Sequence, residues 1–217
     1  MGNFMVLGLP RSGSQIITGW IKSQTKDTEF YLNLEKFQEA ETDGNYLIRR
    51  EGISLSEDDN WRNVGDAKIF SMLRNPWNMM ASHVQWNKGG ALYKRKGRAC
   101  RLWNEYYEEY LKTDSDIYFI IYDKWVTDIN YRKKISSDLG LEFSDEQFER
   151  VPGSGGGSSF DGTKYDGKAQ QMNVLKRYEQ VDNYSMNEFK KSELGQELKN
   201  KWNHICDLEE IKELKIK

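Results

Sequence analysis

Metal and thiol chemistry have almost nothing to work with in this sequence. It holds two histidines, His83 and His204, and two cysteines, Cys100 and Cys206. No spacing among them makes a metal-ligand set, so no metal is expected. The cysteines stand 106 positions apart. A lone disulfide is not needed to stabilise a chain of this size, and both are read as reduced. No apolar run approaches the 18 or so residues of a membrane-spanning helix. The N-terminus enters a strand pattern without the charged-then-apolar outline of a secretory leader, so a soluble, cytoplasmic chain is expected. A dominant sign of charge is missing too: 32 Lys and Arg face 34 Asp and Glu, a net −2. That balance argues against wholesale attraction to nucleic acid or an anionic membrane. Any affinity for an anion must come from a local cluster.

What the sequence does contain is enough for one compact domain over residues 1–217, with a real core. Charged residues make up 30% of it, yet aromatics reach 13%, a mixture of soluble globular proteins rather than disorder. Strands are expected at 3–9, 45–50, 67–73 and 116–122. The first, third and fourth are short, nearly continuous apolar runs, the pattern of parallel strands buried on both faces. Helices are expected from Ser12 or Gly13 to about Gln24, from Asn75–Pro76 onward, and over 99–112. Pro76 suits a helix start, where its missing N–H goes unused. Trp103, Tyr106, Tyr107 and Tyr110 fall on one face of the third helix and read as core. Residues 129–151 read as a helix ended by Gly140 and then a short helical turn, with Ser144 and Gln147 spaced as a capping box. The C-terminal third, "KAQQMNVLKRYEQV" and "MNEFKKSELGQELKNKWNHI", reads as helical. Strands alternating with helices imply an α/β fold, a three-layer P-loop-type sandwich with a short central parallel sheet flanked by helices. The Gly/Ser-rich stretch "GSGGGSSFDG" at 153–162 reads as a functional loop rather than a linker.

Two segments carry chemistry. "GLPRSGSQ" (8–15) follows the first strand and opens the first helix, which is how a phosphate-binding loop is built. Ser14 stands where an ATP- or GTP-binding loop places its lysine, and Gln15 where it places a metal-binding hydroxyl, which disfavours an ordinary NTPase. Arg11 instead offers a planar charged fork inside the loop. In "AKIFSMLRNPWNMMASHVQW" (67–86), Arg74 ends a buried strand and Ser82 follows eight residues later. An arginine at that edge, beside a helix N-terminus, suits a second phosphate.

Together these segments resemble the sulfotransferases that use 3′-phosphoadenosine 5′-phosphosulfate (PAPS). Pro10-Arg11-Ser12-Gly13-Ser14 is similar to the family's loop for the 5′-phosphosulfate. Arg74-Asn75-Pro76 with Ser82 is similar to its 3′-phosphate motif. "IIYDKWVTD" (120–128) and "DLGLEFSDEQF" (138–148) are similar to segments that follow in family order, so the likeness spans residue 3 to about 165. The arginine form of the loop resembles the carbohydrate and tyrosyl-protein branches more than the small-phenol branch. The family's late Arg-Lys-Gly loop is not present; its place falls to "GSGGGSSFDG", with Ser158 and Ser159 as donors.

The resemblance implies sulfuryl transfer from PAPS, as donor substrate and without metal, to the hydroxyl or amine of a carbohydrate or small-molecule acceptor. Arg11 would neutralise charge on the leaving 5′-phosphate, held by Ser12, Gly13, Ser14 and Gln15. Arg74, Ser82, Ser158 and Ser159 would hold the nucleotide's other end. The branch resemblance puts the base on a glutamate some twenty residues past the loop, hence Glu35; Glu29, Glu39 and Glu51 are within reach, and His83 beside Ser82 is the runner-up. The run 88–101 carries six basic residues and no acid; a solvated face is preferred to a basic lip over the donor. Two other readings remain open: a nucleotide-binding protein without catalysis, and a P-loop nucleotide kinase.

Overall fold

The computed structural model describes residues 2–25, 28–31, 44–62, 64–86, 92–153, 156–182 and 184–214. Five strands, β1 (Phe4–Gly8), β2 (Thr28–Tyr31), β3 (Asn45–Glu51), β4 (Lys68–Leu73) and β5 (Ile117–Ile121), form one parallel sheet in the order β2-β3-β1-β4-β5. The sheet is the expected one, with β2 as an added edge. That strand lies in a stretch whose charges hid it, and its residues are half-buried or, at Glu29, exposed. β1 is the centre and is buried throughout.

Alternation along β1 separates two cores, because successive side chains leave a strand on opposite faces. Met5 and Leu7 join one cluster, Phe4 and Val6 the other. The first is covered by α2 (Pro76–Trp86), α3 (Leu92–Tyr110), α6 (Tyr184–Lys191) and α7 (Glu193–Leu214), through residues such as Met79, Trp103, Phe189 and Trp202. The second is covered by α1 (Ser14–Ser23), α4 (Tyr122–Thr127) and α5 (Ile129–Leu139), through Ile17, Trp20, Trp125 and Ile135. Helices on both faces of a parallel sheet make the three-layer α/β sandwich. Trp103, Tyr106 and Tyr107 are buried as expected, with Trp103 stacked on Tyr107 at 5.7 Å. Cys100 and Cys206 are not joined by a disulfide.

The helix boundaries follow local chemistry. Asn75 Oδ1 accepts from the Trp77 N–H at 3.0 Å and so caps α2 ahead of Pro76. Asp128 caps α5 by accepting from Asn130 at 2.7 Å. Gly140, at φ 73°, ends α5 while Leu141 N–H returns to the Ser136 carbonyl.

Three expectations are corrected. Residues 146–149 make a turn and no helix, because the Arg132 guanidinium takes both Asp145 oxygens and pins that segment against α5. The stretch 168–181 is not one helix: it holds two single 3-10 turns, Ala169–Gln171 and Arg177–Glu179. Its carbonyls at Val174 and Leu175 are taken by Arg74 and Asn78 side chains instead of a helical ladder. The last helical stretch breaks into α6 and α7 at Ser192, whose hydroxyl bonds the Phe189 carbonyl and accepts from Gly195 N–H. Among the described residues no helix is long and apolar enough to cross a membrane.

Candidate functional site

β1 and β4 end side by side, and the two turns that leave them form the floor of a cavity of about 220 Å³. After β1 the chain must reverse tightly into α1. Arg11 takes a left-handed φ of 68° and Gly13 one of 97°, and the Ser12 N–H closes the turn on the Leu9 carbonyl at 3.0 Å. Gly13 has no substitute: a Cβ there would lie 2.6 Å from the Tyr122 ring. The N-terminus of α1 borders the cavity, a position whose backbone dipole and N–H groups favour an anion, while the Ile16 and Ile17 N–H groups bond the Gly13 carbonyl at 3.1 and 3.3 Å.

Gly13, Ser14 and Gln15 line this end, and Ser14 Oγ donates to Glu51 Oε1 at 2.5 Å. Ser12 does not line it. Its side chain is fully buried under the loop, its hydroxyl without a partner.

The second turn brings Arg74 to the same cavity. The residue is buried, 6% exposed, and its guanidinium lies over the Tyr122 ring at 4.5 Å and donates to the Arg11 carbonyl at 3.1 Å and the Val174 carbonyl at 2.9 Å. Ser82, one and a half turns into α2, reaches Ser159 Oγ at 2.6 Å and accepts from Arg11 Nε at 3.3 Å. Arg11 therefore lies toward the second turn, its guanidinium 4.7 Å from the centre of the Trp86 ring. Ser158 also lines the cavity, but its hydroxyl is spent on its own loop, accepting from the Phe160 and Asp161 N–H groups at 3.2 Å.

Arg177 is the residue that sequence reasoning missed. It enters the cavity from the second 3-10 turn, donates to Asp161 at 2.8 Å and lies over Phe160 at 4.4 Å. Nothing in its spacing distinguished it from the other cations of the C-terminal third. Four arginines thus line one small space, Arg11, Arg74 and Arg177 together with Arg150, which is more exposed and paired with Asp166 at 3.1 Å. Burial, and then the like charge of Arg74, pushes the Arg11 pKa down, with Glu51 opposing. Burial lowers Arg177 as well, Asp161 opposing and Arg74 adding to the effect. Arg74 Nε and Arg177 Nη1 are buried with no hydrogen-bond partner. Buried donors left unspent beside mutually repelling cations fit an anionic ligand.

The opposite wall is apolar, with Trp125, Phe148, Val151, Met172 and Val174, a surface suited to a flat ring. The cation cluster was legible only in its first two members.

Of the carboxylates considered as bases, Glu35 and Glu39 lie outside the described residues. Glu29 sits on the edge strand β2, bonded by the Tyr31 hydroxyl, away from the cavity. Glu51 is the only carboxylate lining the cavity among the described residues. His83 is buried within α2 and does not line it. Among the described residues no group of three His, Cys, Asp or Glu is gathered for a metal ion. Of the basic run, Lys88 lies outside the described residues, and Arg101 pairs with Glu57 and Glu105 on the surface of α3.

The parallel sheet with helices on both sides is a fold this chain shares with a solved sulfotransferase. No family model matches this sequence, and no curated protein matches it. Among solved structures, the mouse sulfotransferase SULT7A1 complexed with PAP is similar with a TM-score of 0.62, over 94% of this chain and 88% of that one, at 16% identity.

Proposed function

We propose that this protein is a sulfotransferase that binds PAPS and moves its sulfuryl group to a hydroxyl or amine acceptor, a carbohydrate or small molecule. One observation carries the reading. Two anion-binding turns share a single cavity, and their spare donors are those a nucleoside with phosphate at both its 5′ and 3′ positions would use. The loop at Gly13 to Gln15 is suited to the 5′-phosphosulfate. Arg74, Ser82, Ser159 and Arg177 are suited to the 3′-phosphate, and the Trp125–Phe148 wall to the purine. The mouse neighbour, solved with PAP, supports the same ligand class.

Sulfuryl transfer, like phosphoryl transfer, is expected to pass through a loose in-line transition state that positioning and charge neutralisation stabilise. Helix N–H groups and Arg11 are suited to the charge that grows on the leaving phosphate. Arg11 rests on Ser82 and Trp86 and can serve that charge by swinging about its side-chain torsions. A kinase reading is disfavoured, because nothing in the loop replaces the lysine that handles β- and γ-phosphates.

Calorimetric titration with 3′,5′-ADP, 5′-ADP and ATP, without magnesium, tests the donor assignment. A preference for 3′,5′-ADP of at least tenfold that disappears in Arg74→Ala is expected. Equal affinities, or none, would remove the reading.

A further inference from the structure

The sulfuryl acceptor must lose a proton, and we infer that Glu51 takes it. This rests on the reading of the cavity as a PAPS site.

Glu51 is the last residue of β3, beside β1 and directly opposite Gly8 in the parallel register. That placement brings its carboxylate to the loop end of the cavity, the end suited to the transferable group, and away from the Arg74 and Arg177 cluster. Ser14, the first residue of α1, donates its hydroxyl to Oε1. The carboxylate therefore stands one hydrogen bond from the helix N-terminus suited to the leaving phosphate. Its side chain is 42% exposed, so it borders solvent, from which an acceptor must arrive.

The position is built rather than incidental. A Cβ on Gly8 would come within 3.0 Å of Glu51 Cγ and 2.9 Å of Ser14 Cβ, so only glycine leaves room for the carboxylate to lean over the loop. Immediately after Glu51 the chain turns at Gly52, φ 73°, whose N–H bonds the Gly8 carbonyl at 2.8 Å. Arg98 holds the Gly52 carbonyl at 3.0 Å. Two anchors thus fix the strand end that aims the side chain. Arg49, 4.0 Å away, is a weak ionic neighbour.

The step balances. The acceptor oxygen or nitrogen forms a bond to sulfur while its proton passes to a Glu51 oxygen. The bond from sulfur to the bridging oxygen breaks, and its electron pair leaves on the 5′-phosphate of 3′,5′-ADP. The carboxylic acid then returns its proton to water. Water itself can be the acceptor, giving inorganic sulfate.

The test compares wild type, Glu51→Gln, Glu51→Asp and Glu35→Gln. Each is supplied with PAPS in water alone and with 2-naphthol or N-acetylglucosamine as probe acceptors; released 3′,5′-ADP and sulfate are measured. Glutamine keeps an acceptor for the Ser14 hydroxyl, so folding and calorimetric affinity for 3′,5′-ADP stay within about twofold. Turnover falls by about 100-fold or more, the range expected for a lost general base. Glu51→Asp, which retracts the carboxylate by one methylene, loses kcat partially with the affinity unchanged. Turnover of Glu51→Gln within threefold of wild type overturns the inference, as does a loss confined to Glu35→Gln. A wild type that selects 3′,5′-ADP in binding but releases none from PAPS, in water or with either probe acceptor, overturns the base and leaves the binding reading standing. A wild type without that selectivity removes both.

Discussion

Replacing Arg177 separates a ligand contact from a structural latch. Its guanidinium has one nitrogen committed to Asp161 at 2.8 Å and another, Nη1, buried without a partner. A hydrogen bond to a charged group contributes about 1.5–3 kcal/mol. At about 1.4 kcal/mol per factor of ten, losing that bond to a 3′-phosphate weakens 3′,5′-ADP binding by about 10- to 150-fold. Nucleotides lacking the 3′-phosphate should hardly notice.

The latch has a different signature. Asp161 is 26% exposed on its side chain, so leaving it without its partner costs stability whether or not nucleotide is present. Arg177→Gln retains a donor for Asp161 but no charge, and Arg177→Ala retains neither. Titration calorimetry of both variants against 3′,5′-ADP and 5′-ADP, with thermal unfolding of the free proteins alongside, reads the two effects apart. The expected result is a selective loss for 3′,5′-ADP in both, with destabilisation larger in Arg177→Ala. Equal losses for both nucleotides, or a loss in neither, would refute the assignment and leave Arg177 as a clasp on its loop.

Two further variants test the frame around the site. Gly13→Ala sets a Cβ 2.6 Å from the Tyr122 ring at a φ of 97°, and left-handed strain plus overpacking destabilise by about 2–4 kcal/mol. Thermal unfolding should show a drop of about 5–15 °C, whereas Gly97→Ala, in an open position on α3, should hold or gain. Asp123 carries a carboxyl that burial pushes up to about 6, against the opposing pull of Arg74 and Lys199. The folded state thus holds a proton that the unfolded chain releases at about 3.8. Stability from this group is complete below about pH 4 and is lost as pH rises through about 6. Asp123→Asn should remove that fall, gaining about 2 kcal/mol at pH 7.5 relative to pH 4 in urea unfolding.

The parts legible in the sequence were those governed by neighbours a few residues away. Apolar runs marked β1, β4 and β5, and the loop chemistry marked Gly13, Arg74 and Ser82. Ser12 looked equivalent to Ser14 along the chain, yet a left-handed Arg11 rotates it under the loop, which spacing does not reveal. Residues 168–181 had helical composition, but side chains from β4's end and α2 claimed their carbonyls, a tertiary competition invisible from local propensity. Arg177 and Glu51 reach the cavity only because the sheet order sets β3 beside β1 and the 3-10 turn beneath Arg74. Neither fact has a local signal.

Arg74 already grips the backbone at Arg11 and at Val174 before any ligand arrives, joining segments 63 and 100 residues away. The entropy of fixing that fork is spent in folding and not charged again when a ligand binds. On the PAPS reading proposed above, the cavity is a template cut in advance, in which a phosphate on the wrong ribose carbon would meet a rigid mismatch rather than a pocket that adjusts to it.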